Sequence, residues 1–265
     1  MAISFDLTDR RLLVIGASSG VGRALGKLAS QAGARVAFAA RRKERLVKVA
    51  AEVPGEAIAL PCDVRHAEDC ARVVAETVRT FGGLDGLVYA AGMSPLAMLD
   101  QANQDEWRAV LDTNLIGAAL VTAESISHLR ESRGRAVYVS SYAVRQSLPG
   151  LALYRVSKVA LDALIEGWRM EHPDVDFTRV VLGNTGGTEF AKAWGPDRTQ
   201  AATKVWVERG LFPAPTMMGL EAAAEAILSV LATQGYVDDI AIMPRTRDPA
   251  AASALQGDTR DEEAT

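Results

Sequence analysis

Residues 12–22 read Leu12-Leu-Val-Ile-Gly16-Ala-Ser-Ser-Gly20-Val-Gly22, an apolar run that leads into three glycines. Four consecutive apolar residues are typical of a strand that is buried on both faces of a parallel sheet. An apolar stripe then predicts a helix from about residue 21 to residue 32. In such a strand, turn and helix, glycines let the backbone approach a pyrophosphate, and the helix N-terminus offers it free N–H groups. We predict that the phosphates of a dinucleotide bind Gly16, Ser18, Ser19, Gly20, Val21 and Gly22; the alternative is a glycine-rich turn without function.

The second predicted strand, residues 35–39, is followed by Arg41 and Arg42. In a dinucleotide-binding fold, an acidic residue at this strand end holds the ribose 2′-hydroxyl, whereas the fork of an arginine pairs with a 2′-phosphate. No acidic residue occupies this strand end. The two arginines therefore favour NADP(H) over NAD(H), unless they only solvate the start of the next helix.

Strand and helix patterns continue to alternate along the chain. Further strands are predicted at residues 57–60, 87–90, 135–139, 177–182 and 239–243. Such alternation implies right-handed βαβ units, and thus an α/β fold with a Rossmann-like, doubly wound parallel sheet of about seven strands and helices on both faces. Ligands bind at the carboxyl ends of such strands, where Asp63, Gly92 and the pair Ser140-Ser141 lie.

Tyr154 and Lys158 lie four residues apart at the start of a predicted helix, and therefore one turn apart on one face. A fixed positive charge near a phenol favours the phenolate and lowers the pKa of the phenol from its reference value of about 10. A serine hydroxyl held opposite would donate to a substrate oxygen while the tyrosine gives or takes a proton. This chemistry interconverts an alcohol and a carbonyl. Alone, the pair is more often an exposed surface contact.

Two segments leave alternatives open. A long helix is predicted from about residue 104 to residue 129, with Asn114 and Gly117 in its middle, although both residue types have low helix propensity. Asn114 either hydrogen-bonds locally and distorts the helix or is a satisfied core amide. Residues 188–215, which follow the sixth strand, are predicted to form a lid over the site or a packed subdomain. Their large apolar side chains are Phe190, Trp194, Trp206, Leu211 and Phe212.

Composition favours a small-molecule partner. Lys plus Arg is 29 and Asp plus Glu is 33, so the net charge of −4 offers no basic field for nucleic acid. No run approaches the roughly 18 apolar residues of a membrane span, and the N-terminus lacks a signal-peptide pattern. The only cysteines, Cys62 and Cys70, form neither a disulfide framework nor a zinc motif. We expect a cytoplasmic protein without a metal, with a single catalytic domain at residues 1–244 and a disordered tail at residues 245–265.

With these residues in place, the chain resembles the short-chain dehydrogenases/reductases of the compact, single-domain branch over about residues 8–244. Ser141 is preferred to Ser140 because it lies thirteen residues before Tyr154, the usual spacing in that family. The positions that carry the resemblance are Gly16, Gly20, Gly22, Asp63, Ala91, Gly92, Asn114, Ser141, Tyr154 and Lys158.

The resemblance implies a role for each catalytic residue. Tyr154 is the acid/base, Lys158 lowers the pKa of Tyr154 and holds the nicotinamide ribose, Ser141 orients the substrate oxygen, and Asn114 places a water in a proton relay. It also implies that Asp63 lies near the adenine. The remaining predicted cofactor-binding residues are Val64, Ala91, Gly92, Gly183 and Thr188, together with Tyr154 and Lys158.

Three segments depart from the family pattern. Ile15 replaces the usual Thr before the first glycine, Tyr89 and Ala90 replace two asparagines, and Leu182 replaces the Pro before Gly183. The four catalytic residues, Asn114, Ser141, Tyr154 and Lys158, remain. We therefore expect an NADP(H)-dependent oxidoreductase that interconverts a ketone and a secondary alcohol on a small, apolar substrate. The family usually forms homodimers or homotetramers. The alternative is a non-catalytic NADP(H)-binding sensor or scaffold protein on the same fold.

Overall fold

A parallel sheet organises the described part of the chain. The computed structural model describes residues 5–211 and 217–245. Within them, seven strands lie in the order β3-β2-β1-β4-β5-β6-β7, and all neighbours are parallel. The strands are β1 (Arg11–Ile15), β2 (Arg35–Ala40), β3 (Ala57–Pro61), β4 (Gly86–Tyr89), β5 (Arg135–Ser141), β6 (Asp176–Leu182) and β7 (Asp239–Ile242). The predicted doubly wound fold is confirmed.

Helices cover both faces of the sheet. They are α1 (Gly20–Gln31), α2 (Lys43–Ala51), α3 (Ala67–Phe81), α4 (Gln104–Leu111), α5 (Gly117–Ser132), α6 (Ala152–Glu171), α7 (Pro196–Glu208) and α8 (Leu220–Ala232). Alternate residues of β1 point to opposite faces: Leu12 and Val14 pack with α1, α2 and α8, whereas Leu13 and Ile15 pack with α3, α5 and α6. This two-sided burial explains the unbroken apolar run at the start of the chain.

One predicted boundary differs from the structure in a way that affects the site. β5 extends to Ser141, two residues beyond the predicted end. Both serines therefore lie in the part of β5 that pairs with β6. The predicted disordered tail lies outside the described residues except for Arg245, and residues 212–215 of the predicted lid region also lie outside them.

The predicted long helix is interrupted at its centre. A π-helical turn, Asp112–Ile116, separates α4 from α5, and the Gly117 N–H bonds to the Asp112 carbonyl five residues earlier. The Tyr89 hydroxyl donates to the Thr113 carbonyl at 2.5 Å. Tyr89 is one of the residues that departs from the family pattern, and here its fully buried ring ties the end of β4 to the π-helical turn.

The same helical region, Gln104–Ser132, is long and apolar enough to cross a membrane by length and composition alone. Its inward residues Val110, Val121 and Leu129 are fully buried. The latter two belong to the core cluster that packs on the sheet with α3 and α6. We therefore interpret it as a core helix.

Replacing Tyr89 by Phe removes the bond to the Thr113 carbonyl and keeps the ring. We expect the free energy of unfolding to fall by about 1 kcal/mol, the usual net contribution of one such bond. Urea unfolding measures it, with Tyr142→Phe as the matched control, because the Tyr142 side chain is exposed. A Y89F protein as stable as the wild type would show that this bond does not hold the turn in place.

Candidate active site

The glycine turn after β1 packs closely against the segment that follows β4. Gly16 has a φ of +87°, and a Cβ at this position would lie 2.6 Å from the Ala91 amide nitrogen. A Cβ at Gly22 would lie 2.7 Å from the Gly16 carbonyl oxygen. Residues 20–22 form the first turn of α1, and the side chain of its N-cap, Ser19, makes no capping hydrogen bond. The N-terminal N–H groups of α1 thus receive no side-chain cap, which fits a site for a pyrophosphate.

Arg42 lies against this turn, as the sequence predicts for a residue near a cofactor phosphate. Its Nη2 atom donates to the Ser18 and Ser19 hydroxyls, each at 2.9 Å. Ser18 is buried, whereas Arg41 is exposed to solvent. The structure therefore brings Arg42, Ser18 and Ser19 together and leaves Arg41 at the edge.

Glu189 completes this group, and sequence reasoning missed it. Its carboxylate lies 2.7 Å from Arg42 and 3.0 Å from Arg45. Hydrogen bonds from Arg42 first, and then from Arg45 and Ser19, hold the pKa of Glu189 well below its usual range. Arg45 lies one turn after Arg42 on α2. This spacing was the one feature of the sequence that indicated Arg45 as a further member of the group.

The Asn114 side chain is fully buried at the π-helical turn. Its Oδ1 accepts from the Met93 amide at 2.8 Å, and its Nδ2 donates to the Met93 carbonyl and the Ser157 hydroxyl, each at 2.9 Å. Asn114 is thus a satisfied core amide, and its bonds are long-range rather than local. The core-amide alternative is therefore confirmed. The helix is distorted at the π-helical turn, but not through the local hydrogen bonds of Asn114 that the other alternative assumed.

Lys158 and Tyr154 lie on the inward face of α6. Lys158 Nζ donates to the Val139 carbonyl at 2.7 Å and lies 5.8 Å from the centre of the Tyr154 ring. A Cβ at Gly92 would lie 3.6 Å from Asn114 Oδ1 and 3.8 Å from Lys158 Nζ. The structure therefore brings these residues together at the carboxyl ends of β4 and β5.

Burial dominates the titration of this pair. It raises the pKa of Tyr154 to about 12, although a hydrogen bond with Ser141 acts in the opposite direction. It lowers the pKa of Lys158 to about 8, although the Asp162 carboxylate opposes that change. The expected lowering of the Tyr154 pKa by Lys158 is not seen, because the penalty for a buried phenolate is larger and Lys158 Nζ is bonded to Val139.

The remaining predicted cofactor residues lie around the same sheet edge. Asp63 is paired with Arg65 at 2.6 Å, and hydrogen bonds from Arg65 hold the pKa of Asp63 below its usual range. The Val64 side chain is buried in the core, and its carbonyl accepts from the Cys70 thiol at 3.4 Å. The Gly183 amide bonds to β7, and a Cβ at Gly20 would lie 3.9 Å from Thr188.

The segment after β6 packs against the loop that follows β4. Phe190 meets the Tyr154 ring edge-on, with centroids 4.9 Å apart. The indole N–H of Trp194 donates to the Ser94 carbonyl at 2.9 Å, and that of Trp206 donates to the Pro149 carbonyl at 2.8 Å. The described part of the predicted lid is therefore a packed satellite core that also contacts Tyr154.

Metal ligation was not expected from the sequence. Among the described residues, no group of three or more His, Cys, Asp or Glu side chains is arranged to hold a metal ion. Cys62 and Cys70 are both free and buried. That the site works without a metal stays a prediction.

The parallel sheet with helices on both faces defines a doubly wound α/β protein, and comparisons with known proteins identify its family. The family model of the short chain dehydrogenases matches residues 10–199. The 11-beta-hydroxysteroid dehydrogenase-like 2 of Arabidopsis thaliana is 34% identical over 203 residues, which cover 72% of this chain and 66% of that protein. The 11-beta-hydroxysteroid dehydrogenase 1A of the same plant is 37% identical over 187 residues, which cover 68% and 53%. The chain belongs to the short-chain dehydrogenase family.

The matched region spans between about half and two thirds of the length of these relatives. Solved structures match more completely. A short chain dehydrogenase from Burkholderia cenocepacia in complex with NADP has a TM-score of 0.77 and 26% identity, covering 89% of this chain and 97% of that one. A dehydrogenase/reductase from Sinorhizobium meliloti has the same TM-score and identity, covering 91% and 96%. These comparisons confirm the family that the sequence predicted.

Proposed function

We propose that the chain is an NADP(H)-dependent oxidoreductase that interconverts a ketone and a secondary alcohol. The observation that carries the proposal is the convergence of Gly92, Asn114, Tyr154 and Lys158 beside the glycine turn, with Ser141 at the carboxyl end of β5, where it acts to lower the pKa of Tyr154. Since many functions share this fold, the proposal depends on the site and not on the fold.

The nicotinamide, when bound, supplies or accepts the hydride. The residues of this chain transfer the proton. In the reducing direction the Tyr154 hydroxyl donates its proton to the substrate oxygen, and the high pKa of about 12 keeps that proton in place at neutral pH. The Ser141 hydroxyl donates a hydrogen bond to the same oxygen. In the oxidising direction Tyr154 takes the proton back.

Lys158 supports the proton transfer by its charge. With a pKa of about 8, its ammonium group is mostly protonated at neutral pH. The ammonium group lies 5.8 Å from the centre of the Tyr154 ring, and we propose that its charge stabilises the phenolate that forms when the tyrosine gives up its proton to bound substrate. Asn114 holds the backbone of Met93 in place and is proposed to position a water for the proton relay.

NADP(H) is the proposed cofactor because of Arg42. Its guanidinium group already contacts the Ser18 and Ser19 hydroxyls beside the N-terminus of α1. A guanidinium fork matches a 2′-phosphate, and the strand end carries no carboxylate to bind a ribose hydroxyl. The similar structure from Burkholderia cenocepacia contains NADP.

A small, apolar substrate is proposed from the side chains near Tyr154. Phe190 contacts the Tyr154 ring and packs on a cluster that includes Leu96 and Leu151. The prediction of an apolar substrate also depended on Trp206. This side chain is buried in that cluster and bonded to the backbone, so it supports the residues near Tyr154 without lining the site itself. Phe212 lies outside the described residues.

The setting of the enzyme is proposed from the sequence expectations. We infer one catalytic domain at residues 1–244 that works in the cytoplasm as a homodimer or homotetramer. Three exposed apolar side chains on the π-helical turn and α6 support an assembly that covers them. They are Ile116, Val156 and Val159.

Replacing Tyr154 by Phe removes the proton donor and keeps the ring that Phe190 contacts. Turnover of ketones with NADPH is expected to fall by about 10² to 10⁴, the usual contribution of a general acid. NADPH affinity, measured by fluorescence titration, is expected to stay within about threefold, since binding does not need the proton. The control Tyr142→Phe changes an exposed hydroxyl next to Ser141 and is expected to keep full activity. Unchanged turnover in Y154F would refute the role assigned to Tyr154.

Replacing Arg42 by Ala tests the cofactor preference. We expect NADPH to bind about 10- to 100-fold more weakly, because one or two charge-assisted hydrogen bonds are lost. NADH has no 2′-phosphate, so its affinity is expected to change by less than about threefold. Parallel titrations of both cofactors measure this, with Arg79→Ala on α3 as a control that removes an exposed arginine elsewhere. Equal losses for NADPH and NADH would contradict the assignment.

A further inference from the structure

The carboxylate of Glu189 contacts positively charged side chains from two parts of the chain. Its Oε2 lies 2.7 Å from Arg42 and accepts from the Ser19 hydroxyl at 3.0 Å. Its Oε1 lies 3.0 Å from Arg45 and 3.3 Å from Lys192. Arg42 and Arg45 belong to the start of α2, whereas Glu189 and Lys192 follow β6. The carboxylate is therefore a bridge between the glycine turn and the segment that follows β6.

The donors on Glu189 are those that a cofactor phosphate needs. Arg42 and Ser19 belong to the group predicted to bind the phosphates of NADP(H), and Thr188 lies beside Gly20 of the same turn. A carboxylate and a phosphate cannot share these donors without strong repulsion between like charges. A phosphate monoester carries about −1.5 to −2 charges at pH 7, more than a single carboxylate. A phosphate that reaches these cations therefore displaces the carboxylate.

The position of Glu189 also fixes its neighbour in the chain. Phe190 packs edge-on against the Tyr154 ring at 4.9 Å and against Trp194 at 5.4 Å. In the structure, Phe190 thus contacts the Tyr154 ring while the neighbouring Glu189 is paired with Arg42 and Arg45.

We propose that Glu189 is an internal competitor for the cofactor phosphate, whose displacement releases Phe190 from Tyr154 and opens the site to substrate. The inference deepens the proposed function and rests on it. Lys192, already 3.3 Å from the carboxylate and three residues along the chain, remains as its partner after displacement. Cofactor thus binds before substrate. The contacts of Glu189 that impose this order also lower the affinity for the phosphate-bearing cofactor.

The test is Glu189→Gln, which keeps the size of the side chain and removes its charge. Since partly exposed ion pairs contribute modestly, we expect E189Q to bind NADPH about three- to tenfold more tightly than the wild type. NADH lacks the 2′-phosphate, so its affinity is expected to change by less than about twofold. The matched control is Glu52→Gln, which neutralises a carboxylate paired with Lys27 at 3.0 Å outside the site. E52Q is expected to bind both cofactors as the wild type does.

Hydrogen exchange of the peptide that spans residues 188–194 provides the second readout. In the free proteins, E189Q is expected to exchange faster there than the wild type or E52Q, because the ion pairs to α2 are lost. The wild type is expected to reach the E189Q rate when NADPH is bound.

The outcomes separate this inference from the proposed function. Wild-type NADPH binding with an equal or weaker affinity in E189Q would overturn the inference and leave the proposed function standing. Equal exchange rates in free E189Q and wild type would overturn the link between Glu189 and Phe190. NADPH binding to none of the three proteins would reject the proposed function, and the inference with it.

Discussion

The side-chain amide of Asn114 joins three parts of the molecule that are distant in sequence. It lies on the π-helical turn, bonds to both backbone polar groups of Met93 after β4, and donates to Ser157 on α6. An amide with no exposure to water has to keep these partners, since an unpaired buried polar group costs about 1–3 kcal/mol. The distance between Gly92 and Lys158 therefore depends on this residue. π-Helical turns are frequent at functional sites, and here the turn sets where the amide points.

Burial controls the chemistry of the residues that Asn114 assembles. Tyr154 and Lys158 are almost entirely shielded from water, so each favours its neutral form more than a free side chain does. At the rim, the positive charge of Arg42 and Arg45 is balanced by Glu189 and not by solvent alone. The site thus combines a proton-transfer pair that is shielded from water with a charged rim. The segment that contains Phe190 connects the two.

Local patterns were enough to predict the fold and the family. The apolar run before Gly16 and the regular alternation of strands and helices depend on neighbouring residues only. The spacing of Tyr154 and Lys158 likewise reflects one helix. The pairing of Arg45 with Glu189 joins residues 144 positions apart, and no sequence period reports such a contact. The π-helical turn itself was not predicted, because the low helix propensity of Asn114 and Gly117 indicates a distortion without specifying its type. The rise in the Tyr154 pKa was missed because burial is a property of the whole fold.

Hydride transfer is the central claim, and isotope transfer tests it most directly. The chain would be incubated with NADPH carrying deuterium at C4, on either face of the ring, and with small apolar ketones such as acetophenone and cyclohexanone. Mass spectrometry of the products is expected to find the secondary alcohol with deuterium on the carbinol carbon, delivered from one face of the ring only. Tight NADPH binding with no labelled alcohol from any ketone would contradict the account and identify a cofactor-binding protein without turnover.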